Sequence, residues 1–275
     1  MRIGLITPEP GHPLLAGMAA LLAPGHRVEV LDPGAGADAA PPGSPADLYL
    51  LKSGTPRALE LARELERRGA PVVNSAAATA LCQDRTEMAE LAVRAGLPFA
   101  ATRTHEALSA WAAGVSLASP VVVKSRRNRR GDLVARVDTP AELRELARAW
   151  PGEPVVVQEF APNSGWDHKL WAIGDRIFAA RRRSELSPQG RGPNLPLARL
   201  PSGWADLTLR VGEVFGLDVY GVDIIDVGDG APLIVDVNAF PGVRGQAGAP
   251  EALAALALRR AGSPSVPAPR DGSDT

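Results

Sequence analysis

The chain contains a single cysteine, Cys82, among its 275 residues. One cysteine excludes an internal disulfide and a multi-cysteine zinc site, and it is compatible with a reducing compartment. We predict that Cys82 is a small buried hydrophobic residue, because free cysteine usually packs in this way. Aromatic residues make up only 4% of the chain, so the core must consist mainly of alanine, valine and leucine.

Long hydrophobic runs are also missing. The apolar run at 120–123 is far shorter than the roughly 20 residues that span a bilayer. Met1 leads directly into a strand-like segment without the pattern of a secretory signal, so we expect a cytoplasmic protein without a membrane partner. The formal net charge of -1 gives no overall attraction for nucleic acid. We therefore expect no nucleic-acid partner, and any anion site must be local.

Lysine is scarce, because only Lys52, Lys124 and Lys169 occur among thirty basic residues. Where charge alone matters, arginine and lysine are interchangeable, but a compact ammonium differs from a planar guanidinium. The three lysines either mark positions that need an ammonium group or persist by chance.

Short β-branched runs alternate with helical patterns in the first part of the chain, which predicts an α/β layer with a parallel sheet. The predicted strands are 3–6, 27–31, 48–51 and 72–73, and the predicted helices are 14–22 and 56–68. An aperiodic stretch at 32–46 is predicted to be a surface loop.

The second part predicts an α+β arrangement. A helix begins at Asp84 and ends at Gly96, and strands follow at 121–124, 133–137 and 155–160, with a helix from Thr139 before the last of them. Hairpins are predicted for 168–181 around Gly174 and for 219–237, with a helix at 204–215 between them and a loop at 187–196.

The last predicted hairpin carries acidic residues. Asp223 and Asp236 can lie on adjacent strands facing one way, and Asn238 shares the face of Asp236 because it lies two residues further on. Two carboxylates and an amide oxygen suit Mg²⁺, which retains water and binds phosphate oxygens. The alternative is a half-exposed hairpin without a metal.

These motifs resemble the ATP-grasp superfamily, in which a late Asp and an acidic-x-Asn motif hold magnesium. Other segments fall into the same order between residues 74 and 245: Asn74-Ser75, Asp84-Arg85, Lys124, Gln158-Glu159-Phe160-Ala161, Asp167-x-Lys169 and Arg181 to Arg183. Two departures from the RimK-like pattern are Arg85, where those ligases usually carry lysine, and Lys169, where they carry arginine.

The resemblance implies an ATP-grasp fold, with an N-terminal parallel-sheet domain and nucleotide in the cleft between central and C-terminal subdomains. We expect domains at 1–75, 76–160 and 161–262, with a disordered tail at 263–275. The resemblance also implies that ATP is the cofactor. It implies a metal ion, Mg²⁺ or alternatively Mn²⁺, that is held by Asp223, Asp236 and Asn238. The implied nucleotide-binding residues are Arg85, Lys124, Gln158, Glu159, Phe160, Ala161 and Asp167, and the implied catalytic residues are Lys169 and Arg181.

A small anionic substrate is expected, and we assign Lys52, Arg183 and Arg244 to it. Lys52 ends a predicted strand and precedes a helix N-terminus, where anions bind in α/β sheets, and the alternative is an exposed loop lysine. The arginine-rich segment at 125–131 either closes over phosphates or is a solvated charge run. The sequence leaves the oligomeric state open, and a homo-oligomer is one alternative because dimers and tetramers are common in the resembling families.

Three functions fit the motifs. The first is a RimK-like carboxylate-amine ligase that phosphorylates a carboxylate to an acyl phosphate, which an amine then attacks. The second resembles the inositol phosphate kinases of the same superfamily, which phosphorylate a hydroxyl. The third is a nucleotide-binding module without catalysis, which is expected to lack part of the magnesium triad.

Overall fold

The computed structural model describes residues 1–35, 42–129, 131–187, 190, 192–197 and 199–262. The predicted tail at 263–275, Arg130 of the arginine-rich segment, and parts of the predicted loops at 32–46 and 187–196 lie outside the described residues. No helix within these ranges is both long enough and apolar enough to cross a bilayer.

The chain divides into two compact units, of which unit 1 comprises residues 1–76 and 247–275, and unit 2 comprises residues 77–246. The described helix at 249–262 therefore belongs to unit 1, whereas the sequence analysis grouped it with the C-terminal subdomain. Polar and apolar residues are only weakly separated onto different faces of this alanine-rich helix, so its sequence does not indicate the unit to which it belongs. Its contacts with α1 (Pro13–Leu22) and β3 (Leu48–Leu51) place it in unit 1. The other predicted domain boundaries stay predictions.

Unit 1 contains a parallel sheet in the order β2-β1-β3-β4, as the alternating pattern predicts. Thr55 caps the second helix by accepting a hydrogen bond from the Ala58 amide, and a proline occupies its first turn. The last helix, α8, packs against α1 and β3. The elements of unit 1 are β1 (Arg2–Ile6), α1 (Pro13–Leu22), β2 (Arg27–Leu31), β3 (Leu48–Leu51), α2 (Pro56–Arg67), β4 (Val72–Val73) and α8 (Ala249–Gly262).

Unit 2 begins with a short helix, α3 (Ala76–Leu81), whose first residue lies at the boundary. It contains a four-stranded antiparallel sheet in the order β5-β8-β6-β7, which we call the central sheet. Helices α5 and α6 pack with it around a core of valine and leucine. Its elements are α4 (Arg85–Arg94), β5 (Thr102–His105), α5 (Leu108–Gly114), β6 (Val121–Ser125), β7 (Val134–Val137), α6 (Pro140–Ala149) and β8 (Val155–Glu159).

The second sheet of unit 2, the C-terminal sheet, has five antiparallel strands in the order β11-β10-β9-β12-β13. Helices α4 and α7 cover one of its faces, where Cys82 is buried as predicted. Its elements are β9 (Trp166–Ile173), β10 (Arg176–Arg183), β11 (Leu195–Pro196), α7 (Trp204–Phe215), β12 (Val219–Asp226) and β13 (Pro232–Ala239).

A β-bulge in β13 determines which side chains face away from the helices. Asp223 pairs with Asp236, whereas the next residue of β12, Ile224, pairs with Ile234, so Val235 is an extra residue. Ile234 and Val237 are consequently both buried in the helix-covered core although they are three positions apart. The bulge places Leu233 and Asp236 on the opposite face, with Asp223.

The arginine-rich segment is fastened to the start of α4. Asp84 is the N-cap of α4 and accepts hydrogen bonds from the amides of Thr86 and Glu87. The same carboxylate binds the guanidinium of Arg126 at 3.0 Å and that of Arg127 at 3.3 Å. Burial alone would raise the pKa of Asp84, but the hydrogen bond from Arg126, the Thr86 amide and the two arginine charges together lower it.

The sequence predicts most long elements of both units and misses α3, α5, β5, β11 and α8. The short elements β5 and β11 are stabilised by strands that are distant in sequence, and local propensity carries little information about such contacts. The predicted helix at 84–96 begins one residue later, at Arg85, because Asp84 is its N-cap.

We predict that Asp84→Ala lowers the free energy of unfolding by about 1–2 kcal/mol, because it removes an N-cap and leaves two guanidinium groups without their carboxylate. Asp84→Asn keeps the capping acceptor but removes the charge, so it should cost less. The negative charge of Asp84 stabilises the fold at neutral pH, and this contribution is lost as the pH falls through the lowered pKa of Asp84. The free energies of unfolding of wild type and Asp84→Asn should therefore converge in acid.

Urea denaturation at several pH values measures both effects. Asp206→Ala is the control, because Asp206 is exposed in the first turn of α7 and does not cap that helix. It should change stability by less than about 0.5 kcal/mol. Equal urea midpoints for wild type and Asp84→Ala would contradict the prediction.

Candidate functional site

A cavity of about 460 Å³ lies within unit 2, between the central sheet and the exposed face of the C-terminal sheet. This volume falls in the usual range for a small-molecule site. Its apolar lining includes Val122, Val134, Ile225 and Leu233, and its charged lining includes Arg85, Lys124, Asp167, Lys169, Arg182, Asp223 and Asp236.

Lys124 is the penultimate residue of β6 and has a buried side chain, and its Nζ donates a hydrogen bond of 2.8 Å to the backbone carbonyl of Val235. The bulge exposes this carbonyl, because the extra residue leaves the ladder of backbone hydrogen bonds. Burial lowers the pKa of Lys124, although the nearby carboxylate of Asp236 acts in the opposite direction.

Lys169 and Asp223 form an ion pair on neighbouring strands. They occupy directly paired positions on β9 and β12, and the Nζ of Lys169 donates to Oδ2 of Asp223. Both side chains line the cavity, so Lys169 presents a buried positive charge beside a carboxylate. Such a pair is stable only because each group neutralises the other away from water.

The carboxylates Asp223 and Asp236 are paired across β12 and β13, and both face the cavity. Asn238 lies on the same face of the sheet. Asn238 is not part of the cavity wall, and its Oδ1 accepts a hydrogen bond of 3.0 Å from Nδ2 of Asn128. No group of three His, Cys, Asp or Glu residues suited to a metal occurs in the described ranges. Two carboxylates and an amide oxygen nevertheless fit Mg²⁺, which completes its coordination with water and phosphate oxygens.

The segment from Gln158 to Ala161 lines the cavity at the end of β8. Gln158 is buried and donates to the hydroxyl of Thr102 at 3.0 Å, whereas Glu159 is exposed. The amide of Phe160 donates to the carbonyl of Pro120. The guanidinium of Arg136 lies 3.9 Å from the centre of the Phe160 ring, which fixes the ring beside the cavity.

The strand β10 places its arginines differently from the sequence prediction. Arg182 pairs with Asp167 and lines the cavity with a buried side chain, and its Nε lies 3.8 Å from the Asp167 carboxylate. Arg181, assigned as catalytic from the resemblance, is not in the cavity wall and lies over the Trp166 ring at 4.9 Å. The guanidinium of Arg183 also lies over the Trp166 ring, at 4.6 Å from its centre, and Arg183 lines the cavity.

Arg182 is therefore a candidate site residue that belongs to the predicted basic motif, Arg181 to Arg183, but had no individual role assigned to it from the sequence. The sequence does contain a signal for this role. The two-residue turn at Gly174 and Asp175 sets the register of the hairpin, and this register pairs Arg182 with Asp167 on the neighbouring strand. Burial is the largest influence on Asp167 and raises its pKa, against the lowering effect of Lys169.

The remaining assigned residues do not line the cavity. Lys52 follows β3 in unit 1, and its amide donates to the carbonyl of Ile6. Arg244 is exposed in unit 2, outside the cavity wall. His168 makes an edge contact with Trp204, and burial lowers its pKa.

The described arginines of the arginine-rich segment also lie outside the cavity wall. Arg126 and Arg127 bind Asp84, and Arg129 binds Glu153 at 3.2 Å. Their charges are thus paired with carboxylates of unit 2. Arg127 and Arg129 are nevertheless 61% and 60% exposed, so the two alternatives for this segment stay predictions.

The sequence and the structure are similar to those of known proteins. The probable alpha-L-glutamate ligase 2 of Hahella chejuensis is 30% identical over 195 residues, which cover 66% of this chain and 63% of that protein. The chain thus spans less than two thirds of the length of this curated relative.

Among solved structures, the RimK domain protein ATP-grasp from Sphaerobacter thermophilus gives a TM-score of 0.74 at 25% identity, covering 93% of this chain and 99% of that chain. The ATP-grasp ligase PsnB, solved with a minimal precursor, Mg and ADP, gives a TM-score of 0.68 at 18% identity over 94% of this chain and 97% of its own. These likenesses confirm the predicted ATP-grasp fold. The sequence model of the RimK-like ATP-grasp domain matches residues 83–251, and the chain therefore belongs to the RimK-like ATP-grasp family.

Proposed function

We propose that the chain is an ATP-dependent carboxylate-amine ligase that forms an amide through an acyl phosphate. The observation that carries the proposal is the convergence of buried lysines and carboxylates from two sheets on one cavity of about 460 Å³. The name of the relative in Hahella chejuensis supports an acidic amino acid, such as L-glutamate, as the amine substrate.

ATP would occupy the cavity with its base against the apolar side chains and the segment from Gln158 to Ala161. Lys124 and Lys169 would bind phosphate oxygens as compact charges, because phosphoryl transfer needs positioning and charge stabilisation. Asp223, Asp236 and Asn238 would hold Mg²⁺, which neutralises phosphate charge when bound. Arg182 replaces Arg181 as the cavity residue of β10 that can approach an anionic group.

The reaction would proceed in two steps. A carboxylate oxygen of the acceptor attacks the γ-phosphorus, the bond to the bridging oxygen of ADP breaks, and an acyl phosphate forms. An amine then attacks the acyl carbon, inorganic phosphate leaves, and the amine nitrogen loses a proton to solvent. Enclosure of the cavity would limit hydrolysis of the acyl phosphate.

Product analysis tests the reaction class. The full chain with Mg-ATP, L-glutamate and candidate carboxylic acids should release ADP over repeated turnovers only when acid and amine are both present, and mass spectrometry should detect the amide. Replacing the amine by hydroxylamine should give the hydroxamate of the acid. A stable phosphate ester on an alcohol would instead establish a kinase, the second function that the motifs allow.

We predict that Lys124→Met weakens the binding of ADP by about tenfold or more, since a charge-assisted hydrogen bond to phosphate is worth about 1.5–3 kcal/mol. Isothermal titration calorimetry measures the dissociation constant. Arg148→Met in α6 is the control for loss of a positive charge, because Arg148 is not in the cavity wall. Unchanged ADP affinity in Lys124→Met would contradict the assignment.

The metal assignment predicts that Asp236→Asn reduces Mg²⁺-dependent turnover by more than about a hundredfold, because outer and direct ligands control metal affinity. The melting temperature should fall, because Arg85 loses one of its two carboxylate partners, so turnover is compared at a temperature at which both proteins are folded. Asp226→Asn is the control in the same hairpin, since Asp226 binds the turn amides of Gly228 and Gly230 and does not line the cavity. Full activity of Asp236→Asn would refute the assignment.

A further inference from the structure

One guanidinium in unit 2 bridges carboxylates from two different sheets. Arg85, the first residue of α4, is only 6% exposed, and its Nη1 donates to Oδ2 of Asp132 at 2.6 Å and to the carbonyl of Ser125 at 2.8 Å. Its Nη2 lies 3.5 Å from Oδ2 of Asp236. Asp132 immediately precedes Leu133 and β7 of the central sheet, whereas Asp236 belongs to β13 of the C-terminal sheet.

This arrangement uses both ends of the guanidinium fork for protein acceptors. The carboxylates of Asp132 and Asp236 are 13% and 14% exposed, so neither is fully hydrated and each needs a positive partner. A planar guanidinium can serve two acceptors at once in a fixed geometry, which a single ammonium group achieves less well. Arg85 is therefore already committed to the protein on its Nη1 side.

Two further contacts hold β13 at the same place. Lys124 donates to the carbonyl of Val235, the extra residue of the bulge, and Asn128 donates to the side chain of Asn238. Together with Arg85, they connect residues 235, 236 and 238 to α4, to β6 and to the segment that follows β6. The part of β13 that carries two of the three assigned metal ligands is thus oriented by residues of the other sheet and its neighbouring helix.

We propose that Asp132 and Arg85 are positioning residues for Asp236, with Asp132 fixing the guanidinium and the guanidinium fixing the carboxylate that holds the metal. The proposal rests on the proposed function, because it concerns Asp236 as a magnesium ligand. It assigns a role to Asp132, and it changes the role of Arg85 from a nucleotide-binding residue to a residue that acts through Asp236. Partners that orient a ligating carboxylate typically affect metal affinity by about 10–100-fold.

The experiment measures metal affinity separately from nucleotide affinity. Full-length wild type, Asp132→Asn and Arg85→Lys are titrated with Mn²⁺ in the presence of saturating ADP, with free Mn²⁺ followed by electron paramagnetic resonance. ADP binding is measured in parallel by calorimetry in EDTA. We expect both variants to bind Mn²⁺ about tenfold more weakly, whereas their metal-free affinity for ADP stays within about twofold of wild type.

Two comparisons sharpen the result. The double variant should lose no more Mn²⁺ affinity than the larger single loss, because both substitutions interrupt one chain of contacts. Arg57→Lys and Glu60→Gln, an exposed ion pair on α2 of unit 1, are the matched controls and should leave both affinities unchanged. Arg85→Lys keeps the positive charge, so it still provides the comparison if Asp132→Asn does not fold.

Specific outcomes overturn the proposal. If Arg85→Lys weakens metal-free ADP binding about tenfold and Asp132→Asn changes neither affinity, Arg85 is a phosphate ligand and Asp132 has no positioning role. If wild type binds Mn²⁺ normally and neither variant changes that affinity, only the positioning roles fail. If wild type shows no Mn²⁺ binding with ADP, the metal assignment of the proposed function fails together with them.

Discussion

Pairing of opposite charges inside one cavity is the interaction on which the candidate site of unit 2 depends. Lys169 lies against Asp223, and Arg85 lies between Asp132 and Asp236. Each charge would be strongly unfavourable if it were buried alone, and removing one partner leaves the other uncompensated. The position of each of these charged groups is therefore tied to that of its neighbours, and together they form a polar wall of the cavity beside an apolar one.

The bulge in β13 makes this wall possible. In a regular strand, alternate residues face the same side, so Leu233 and Asp236 would point in opposite directions. The extra residue, Val235, restores Asp236 to the face of Asp223, and it frees the carbonyl that accepts the hydrogen bond from Lys124. One insertion therefore aligns the acidic pair and also provides an anchor for the buried lysine. Bulges beside active sites commonly redirect a side chain in this way.

The arginine-rich segment connects several parts of unit 2 through ion pairs. Arg126, Arg127 and Arg129 pair with carboxylates of their own unit. Asp84 links this segment to the first turn of α4, where Arg85 enters the cavity. The segment thus contributes to the placement of Arg85 and, through Asn128, to the placement of Asn238. Its charges thus pair with Asp84, which is next to the cavity-lining Arg85, and with Glu153.

The sequence alone determined the alternation of strands and helices, the parallel sheet of unit 1, the ATP-grasp resemblance and the hairpin that carries Asp223 and Asp236 on adjacent strands. These features depend on local periodicity, on capping residues such as Thr55 and on motif order, and each of these is determined by residues that are close together in sequence. Strand alternation separates Arg182 from Arg181, but only the tertiary structure decided which face of β10 borders the cavity, that the bulge pairs Asp223 with Asp236, and that Asp132, Arg85 and Asp236 meet. The face of an arginine follows from strand register, and the meeting of three residues from separate elements follows from how two sheets pack, a long-range arrangement that no local pattern specifies.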